Sequence, residues 1–200
     1  MQSRTAPRET RAERSRRIRE ELITTAGRVF RRRGYHDTSL DRIAAEAGYT
    51  KGAVYSNFSG KDDLFLAIFD RQVEARFRVL VKAMEAGGHR AVAHRYSELI
   101  DQDPEWSMLM VEFTAHAARE PELRAALAQR NRALTARVAE VEGRVSEAST
   151  DPAMAHRISA ATLVVASGLV VECMVDPAAV PESIAEDLIL RFIEGEGARE

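Results

Sequence analysis

The stretch of sequence that decides the fold is residues 38–58, which read TSLDRIAAEAGYTKGAVYSNF. Two short segments with helical apolar spacing lie on either side of Gly48, a residue type that permits a tight turn. Ala44 is small enough for two helices to cross closely, and Val54 is placed to pack back on the first helix. The pattern therefore predicts a helix-turn-helix, a motif whose second helix enters the major groove of DNA.

Upstream of this motif, an apolar stripe at steps of about four residues predicts a helix over 14–33. Gly34 follows three arginines, which is typical of a helix C-terminus. Thr38 is the expected N-cap of the next helix, with Asp41 returning to the cap in place of the usual Glu. Residues 1–13 lack periodicity and are expected to be a flexible basic arm.

Downstream, apolar residues at helical spacing predict a long helix over 61–86, which the pair Gly87-Gly88 is expected to end. Several Asp-Pro pairs then place an N-cap candidate before a proline, the residue favoured at the first helical position. These signals predict further helices at about 90–101, 104–119, 121–148, 153–174 and 182–193.

Together these segments predict an all-α fold of about nine helices. Residues 14–60 would form a three-helix DNA-binding domain that contains the helix-turn-helix. Residues 61–200 would form a helical domain for effector binding and dimerisation, a role that rests on the family resemblance described below.

The charge of the chain is divided unevenly. The net charge is −2 overall, but residues 1–60 carry +6 and residues 61–200 carry −8. A basic head on an acidic body suggests that the head binds a polyanion, and nucleic acid is the first to consider. A helical adaptor whose basic head binds an acidic protein or a membrane surface is the alternative. A steep salt dependence on duplex DNA together with sequence preference would separate the two.

Composition limits the remaining classes. Hydrophobic residues make up 45% and charged residues 30%, as in ordinary globular proteins. The single cysteine excludes an intramolecular disulfide framework and a cysteine-rich zinc site. The apolar-leaning run 158–171 is too short to span a bilayer, and no apolar signal region is recognisable, so we expect a cytoplasmic protein. Residues 61–200 contain no nucleophile–base pattern, phosphate loop or metal spacing, so we expect neither an enzyme nor a cofactor or metal.

Residues 34–64 resemble the DNA-binding signature of the tetracycline-repressor (TetR) family. The family pattern reads roughly G-[FY]-x-x-T-[ST]-[VLM]-x-x-I-A-x-x-A-G-[VY]-[ST]-x-G-x-[VLF]-Y-x-[HYN]-F-x-[SGN]-K-x-x-L, and this sequence meets nearly every fixed position. The resemblance covers residues 14–66, and the remainder matches in length and helical character.

The resemblance implies a set of DNA contacts. Thr38, Tyr55 and Lys61 would contact phosphates, and Asn57 could read adenine. Tyr55 could instead be a core residue, Lys61 an ordinary solvated charge, and the arginines of the arm either a solvated tail or nonspecific backbone contacts. The implied DNA-binding residues are Thr38, Ser39, Tyr49, Thr50, Lys51, Gly52, Ala53, Tyr55, Ser56, Asn57 and Lys61.

The resemblance also implies that the body holds a small-molecule pocket and a dimer interface. Most of the pocket candidates could instead be core residues, and Trp106 could be a surface anchor. The pocket candidates are Phe77, Val81, Tyr96, Trp106, Met110, Phe113, His116 and Glu172. The expected dimer interface, which could instead be packing within the chain, contains Ala160, Ala161, Ser167, Gly168, Ile184, Leu188 and Phe192.

These features predict a homodimeric transcriptional repressor that binds an inverted-repeat operator and is released by an unknown small-molecule effector. A dimer is expected because two recognition helices about 34 Å apart read more bases than one. An activator or an effector-independent regulator of the same fold is the alternative.

Overall fold

The computed structural model describes residues 10–145 and 152–176, together with Asp187 and Leu190. Within this described part the structure contains helices and no strand, which confirms the predicted all-α class. Seven helices have defined bounds: α1 (Arg11–Arg33), α2 (Leu40–Ala47), α3 (Lys51–Tyr55), α4 (Lys61–Gln102), α5 (Pro104–Ala117), α6 (Pro121–Val145) and α7 (Pro152–Val175).

Two features account for the difference from the predicted number of nine helices. The helices predicted over 61–86 and 90–101 form the single run α4, whose backbone is non-helical at Gly87 and Gly88. Gly88 has a φ of 62°, a conformation that favours glycine, so the pair breaks the helix without separating its halves by a loop. The helix predicted over 182–193 lies outside the described residues except for Asp187 and Leu190, which are helical.

Helix α1 begins three residues earlier than its apolar stripe indicates. Thr10 is its N-cap, and a capping box joins the Thr10 side chain to the backbone of Glu13 and the Glu13 carboxylate to the backbone of Thr10. Arg11–Glu13 are therefore helical and are not part of a flexible arm, while residues 1–9 lie outside the described residues. At the other end Gly34 has a φ of 77°, and its N–H donates to the Phe30 carbonyl at 2.8 Å.

Helix α2 also has a different cap from the expected one. The N-cap is Ser39, whose hydroxyl accepts from the Arg42 N–H at 3.3 Å. Thr38 is buried, and its hydroxyl donates to the Gly34 carbonyl at 2.8 Å. The expectation that Thr38 caps α2 is wrong because threonine and serine both suit an N-cap, and only burial in the folded domain decides between them.

The chain divides into two compact units, Met1–Phe69 and Asp70–Glu200, and the division falls within α4. The core of the first unit has an aromatic cluster in which Phe30 stacks on Tyr35 at 5.7 Å and meets Phe65 edge-on at 5.4 Å between ring centroids. The aliphatic side chains buried around it include Leu22, Val29, Ile43, Val54, Leu64 and Ile68. This core fixes α1, α2 and α3 to the start of α4.

In the second unit, ion pairs join α4 to α6. The Arg130 guanidinium donates to both carboxylate oxygens of Asp70, at 2.8 and 3.1 Å, and Arg137 donates to Glu74 at 2.9 Å. The buried apolar residues of α5, α6 and α7 form the interior of this unit, and they include Trp106, Leu109, Phe113, Leu123, Leu127, Val141, Ala166 and Leu169.

Candidate nucleic-acid interface

The turn between α2 and α3 is a Schellman C-cap. Gly48 has a φ of 73°, its N–H donates to the Ala45 carbonyl at 3.2 Å, and the Tyr49 N–H donates to the Ala44 carbonyl at 2.9 Å. A Cβ on Gly48 would have no atom within 4 Å, so the left-handed backbone alone requires glycine there. This turn sets the angle at which α3 leaves α2, as the sequence predicts.

Helix α3 is held by its cap, its core face and a cation from α1. The Thr50 hydroxyl accepts from the Ala53 N–H at 3.2 Å, and Val54 is fully buried. Arg19 donates to the Asn57 carbonyl at 2.7 Å, and its guanidinium lies 4.2 Å from the centroid of the Phe58 ring. Arg19 is a structural residue that sequence reasoning missed, since it looks like any other arginine of a basic helix.

The outer side of α3 is exposed as the DNA-binding prediction requires. Tyr55 is 57% exposed, which excludes its assignment to the core, and Thr50, Lys51 and Ser56 are also exposed. Gly52 is exposed, and a Cβ there would make only an ordinary contact of 3.8 Å with the Thr50 hydroxyl. Neither the contacts of an added Cβ nor the backbone conformation requires glycine at this position.

Two of the predicted DNA contacts are paired with acidic side chains of the same unit. The Lys51 ammonium forms an ion pair with Asp41 of α2, which holds the pKa of Lys51 above its usual range. The Tyr49 phenol donates to Glu21 of α1, and this hydrogen bond raises the pKa of Tyr49. The side chains of the Lys51–Asp41 pair are 67% and 48% exposed, so the pair lies at the surface.

Two other predicted contacts use their hydrogen bonds within the chain. The Asn57 side-chain amide donates to the Ala53 carbonyl at 2.8 Å and the Ser56 hydroxyl donates to the same carbonyl at 2.9 Å, so both residues cap the end of α3. Asn57 is thus a capping residue, which argues against its reading of adenine. The buried Thr38 hydroxyl likewise has its hydrogen engaged by Gly34, which argues against a phosphate contact from that hydroxyl.

Lys61 is more than an ordinary solvated charge. Its ammonium donates to the carbonyls of Tyr35 and His36, at 3.0 and 3.4 Å, and lies 4.3 Å from the centroid of the Tyr35 ring. Partial burial lowers its pKa. The Tyr35 phenol in turn donates to Asp62. Lys61 therefore fastens the start of α4 to the segment that follows α1.

Two family models match separate parts of the chain. The model of bacterial regulatory proteins of the tetR family matches residues 22–68, which contain the helix-turn-helix. The model of the C-terminal domain of BetI-type transcriptional repressors matches residues 88–198, more than half of the chain. The chain belongs to the TetR family.

Relatives and solved structures agree with this assignment to a family of transcriptional regulators. The HTH-type transcriptional activator FasR of Mycolicibacterium smegmatis is 31% identical over 99 residues, which are 47% of this chain and 45% of FasR. The chain thus spans under half the length of this curated relative. A TetR-family regulator from Mesorhizobium loti aligns with a TM-score of 0.71 at 23% identity, covering 94% of this chain and 96% of that one. The multidrug binding protein EbrR, solved in complex with imidazole, aligns with a TM-score of 0.69 at 23% identity, covering 94% and 97%.

In the second unit of this TetR-family chain, most of the predicted pocket residues are buried or half-buried. Phe113 is fully buried and Trp106 is 4% exposed, so Trp106 is not a surface anchor. The Arg137 guanidinium lies 4.1 Å from the centroid of the Phe77 ring. Burial raises the pKa of the Tyr96 phenol. Glu172 is exposed, which argues against its place in a pocket within one chain. The remaining candidates, all half-buried, are Val81, Met110 and His116.

Helix α7 carries part of the predicted dimer interface on an exposed face. Ser167 and Gly168 are exposed, and Val164 and Val175 are 72% and 80% exposed. These positions follow helical spacing, so they share a side of α7. Ala160 and Ala161 are half-buried, while Ile184, Leu188 and Phe192 lie outside the described residues.

Two further classes of site are missing from the part of the chain that the structure describes. No group of three or more His, Cys, Asp or Glu side chains there could hold a metal ion. None of the helices described combines the length and the apolar character needed to cross a bilayer.

Proposed function

We propose that this TetR-family regulator is a homodimeric repressor that binds an inverted-repeat operator and is released by a small-molecule effector. The observation that carries the proposal is the outer side of α3, where Thr50, Lys51, Gly52 and Tyr55 are exposed on a helix fixed by a buried core. A rigid helix with polar, exposed residues at its N-terminal end suits insertion into the major groove.

Each of these residues suits a different contact with DNA. The exposed Tyr55 phenol can donate to a phosphate from the outer end of α3, and Lys51 can neutralise a phosphate or donate to guanine. Gly52 leaves room for the DNA to approach the backbone of α3 closely. The net charge of +6 over residues 1–60 supports the electrostatic part of binding.

The exposed apolar face of α7 supports a homodimer. Val164, Val171 and Val175 expose 72%, 43% and 80% of their surface, and Ser167 and Gly168 between them are small enough for another helix to approach. A second copy of α7 is the proposed occupant, because a two-fold dimer presents two recognition helices to the two halves of an inverted repeat.

Effector release is proposed for the second unit. Phe77, Met110, Phe113 and His116 offer apolar surface and one polar ring, residue types that suit a pocket for a small organic molecule. Helix α4 begins at Lys61 in the first unit and continues past residue 69 into the second unit. A conformational change on effector binding in the second unit can therefore be transmitted along α4 to the first unit. The effector must bind the two states with different affinity, or it shifts nothing.

Repression is preferred over activation because the C-terminal match is to a repressor-type domain. Activation is the second candidate, because the relative FasR is named an activator. Transcription in vitro from a recovered promoter distinguishes the two: added protein lowers the amount of transcript in the first case and raises it in the second.

The decisive experiment is recovery of fragmented host genomic DNA on the purified protein, followed by sequencing. We expect enrichment of one or a few sites that contain an inverted repeat. A Tyr55→Phe variant is the matched control, because it removes one phosphate donor and should lower recovery without changing the sites. Recovery without sequence preference contradicts the specific function, and no recovery at low salt contradicts DNA binding altogether.

A further inference from the structure

Two of the side chains predicted to contact DNA are bound by carboxylates of the protein itself. Asp41 pairs with Lys51, the first residue of the recognition helix, and Glu21 accepts from the phenol of Tyr49. In both pairs an acidic residue of one helix reaches a donor at or next to the turn that leads into α3. Two of the predicted DNA contacts, Lys51 and Tyr49, are thus engaged by carboxylates in the free protein.

The carboxylate of Asp41 has no evident structural task that would explain its place. Helix α2 is capped by Ser39 and packs through Leu40, Ile43 and Ala44, all of which are buried. Asp41 lies beside that buried side and is not part of it, with 48% of its side chain exposed. Its negative charge in the first turn favours the helix only slightly, because the effect is screened at an exposed site.

We propose that Asp41 is an internal competitor of DNA for Lys51 and thereby limits the affinity of the regulator for DNA of any sequence. The proposal rests on the proposed function, because it assumes that α3 is the DNA-binding helix. Its content is separate, since a TetR-family protein could bind DNA through α3 without any contribution from Asp41.

The competition follows from the strengths of the two ion pairs. An exposed pair such as Lys51–Asp41 is weak, so a phosphate with high local charge density can displace Asp41 from Lys51. The displaced carboxylate then stays close to the DNA backbone and repels it. Both effects act on the phosphates, which are the same in every sequence, so Asp41 lowers nonspecific binding as well as operator binding. Weak nonspecific binding benefits a regulator that must find few sites among many.

The test measures binding of the full-length protein to a short duplex of arbitrary sequence by fluorescence anisotropy. Asp41→Asn keeps the size of the side chain and removes its charge. We expect the affinity to rise about two- to fivefold at low salt, and this gain to shrink as added salt screens the charges. Glu122→Gln is the matched control. Glu122 is an exposed acidic residue in the first turn of α6, and its substitution changes the net charge by the same amount as Asp41→Asn.

A double-mutant cycle with Lys51→Gln isolates the pair itself. If Asp41 masks Lys51, the substitution Lys51→Gln weakens binding more in the Asp41→Asn background than in the wild-type background. Thermal unfolding of each variant, followed by circular dichroism, establishes that the fold is retained.

Three results would overturn the inference. Unchanged affinity of Asp41→Asn for the duplex, or an equal gain in Glu122→Gln, shows that Asp41 does not compete at this site. An equal effect of Lys51→Gln in both backgrounds shows that the pair is not the cause. In each of these cases the wild type still binds duplex DNA and the proposed function stands, whereas a wild type that binds no duplex at low salt overturns both.

Discussion

Gly52 is the residue at which stability and DNA binding are expected to respond in opposite directions. The added Cβ of Gly52→Ala would make one ordinary contact, 3.8 Å from the Thr50 hydroxyl, and the backbone at Gly52 needs no positive φ. Glycine costs about 0.8–1.0 kcal/mol relative to alanine in a helix interior. Because Gly52 lies in the first turn of a five-residue helix, we expect a gain of about 0.5 kcal/mol in the free energy of unfolding.

DNA binding should be weakened by the same methyl group. If the DNA backbone or a base edge approaches Gly52 closely, the methyl group overpacks the interface at a cost of about 1–3 kcal/mol. The loss in operator affinity is then about five- to 150-fold, and it is larger in a dimer that carries the substitution twice. Urea unfolding measures the first quantity, and fluorescence anisotropy on a recovered operator duplex measures the second.

Two other glycines of the same unit supply the controls. Gly27→Ala lies in the interior of α1, where the new Cβ would make ordinary contacts of 3.5 Å or more, so it should raise stability without changing DNA affinity. Gly48→Ala places a side chain at a φ of 73° and should lower stability by about 1–2 kcal/mol. Unchanged operator affinity in Gly52→Ala would refute the close approach, and a loss of stability would refute the reading of the local backbone.

Three further substitutions test separate parts of the molecule. Tyr55→Phe should weaken binding to all duplex sequences, because an exposed phenol that donates to phosphate reads no base; anisotropy on operator and arbitrary duplexes checks this, and a loss confined to the operator would contradict it. Arg19→Met should lower the free energy of unfolding by about 1–2 kcal/mol, because it removes the hydrogen bond to the Asn57 carbonyl and the cation over the Phe58 ring. An unchanged free energy in urea unfolding would show that these two contacts do not stabilise the domain. If the proposed dimer forms through α7, Val164→Asp should convert it to monomer in sedimentation velocity, while an aspartate at an exposed position of α6, Ala125→Asp, should not. A dimer that persists in Val164→Asp would place the interface elsewhere.

The features that the sequence predicted correctly are set by local chemistry. The turn at Gly48, the end of α1 at Gly34, the starts of α5 and α6 at their prolines, and the break at Gly87-Gly88 each depend on a conformation that few residue types adopt. Apolar spacing likewise identified Val54 as a residue that packs back on α2, because the inner side of a short amphipathic helix is its apolar side. These are properties of a few neighbouring residues and need no knowledge of the rest of the fold.

The tertiary structure alone decided how the polar side chains are used. Thr38 and Ser39 are both possible caps by sequence, and in the fold Ser39 is the cap while Thr38 is buried. Arg19 and Lys61 are ordinary cations by sequence, yet in the fold they hold α3 and α4 in place.

The Lys51–Asp41 pair and the hydrogen bond from Arg19 to the Asn57 carbonyl are likewise visible only in the folded domain. The physical reason is that a hydrogen bond or an ion pair depends on distances between atoms. For Lys51 and Asp41, as for Arg19 and Asn57, those distances join different helices or the segments that follow them, and the fold sets them only after the apolar pattern has brought the helices together.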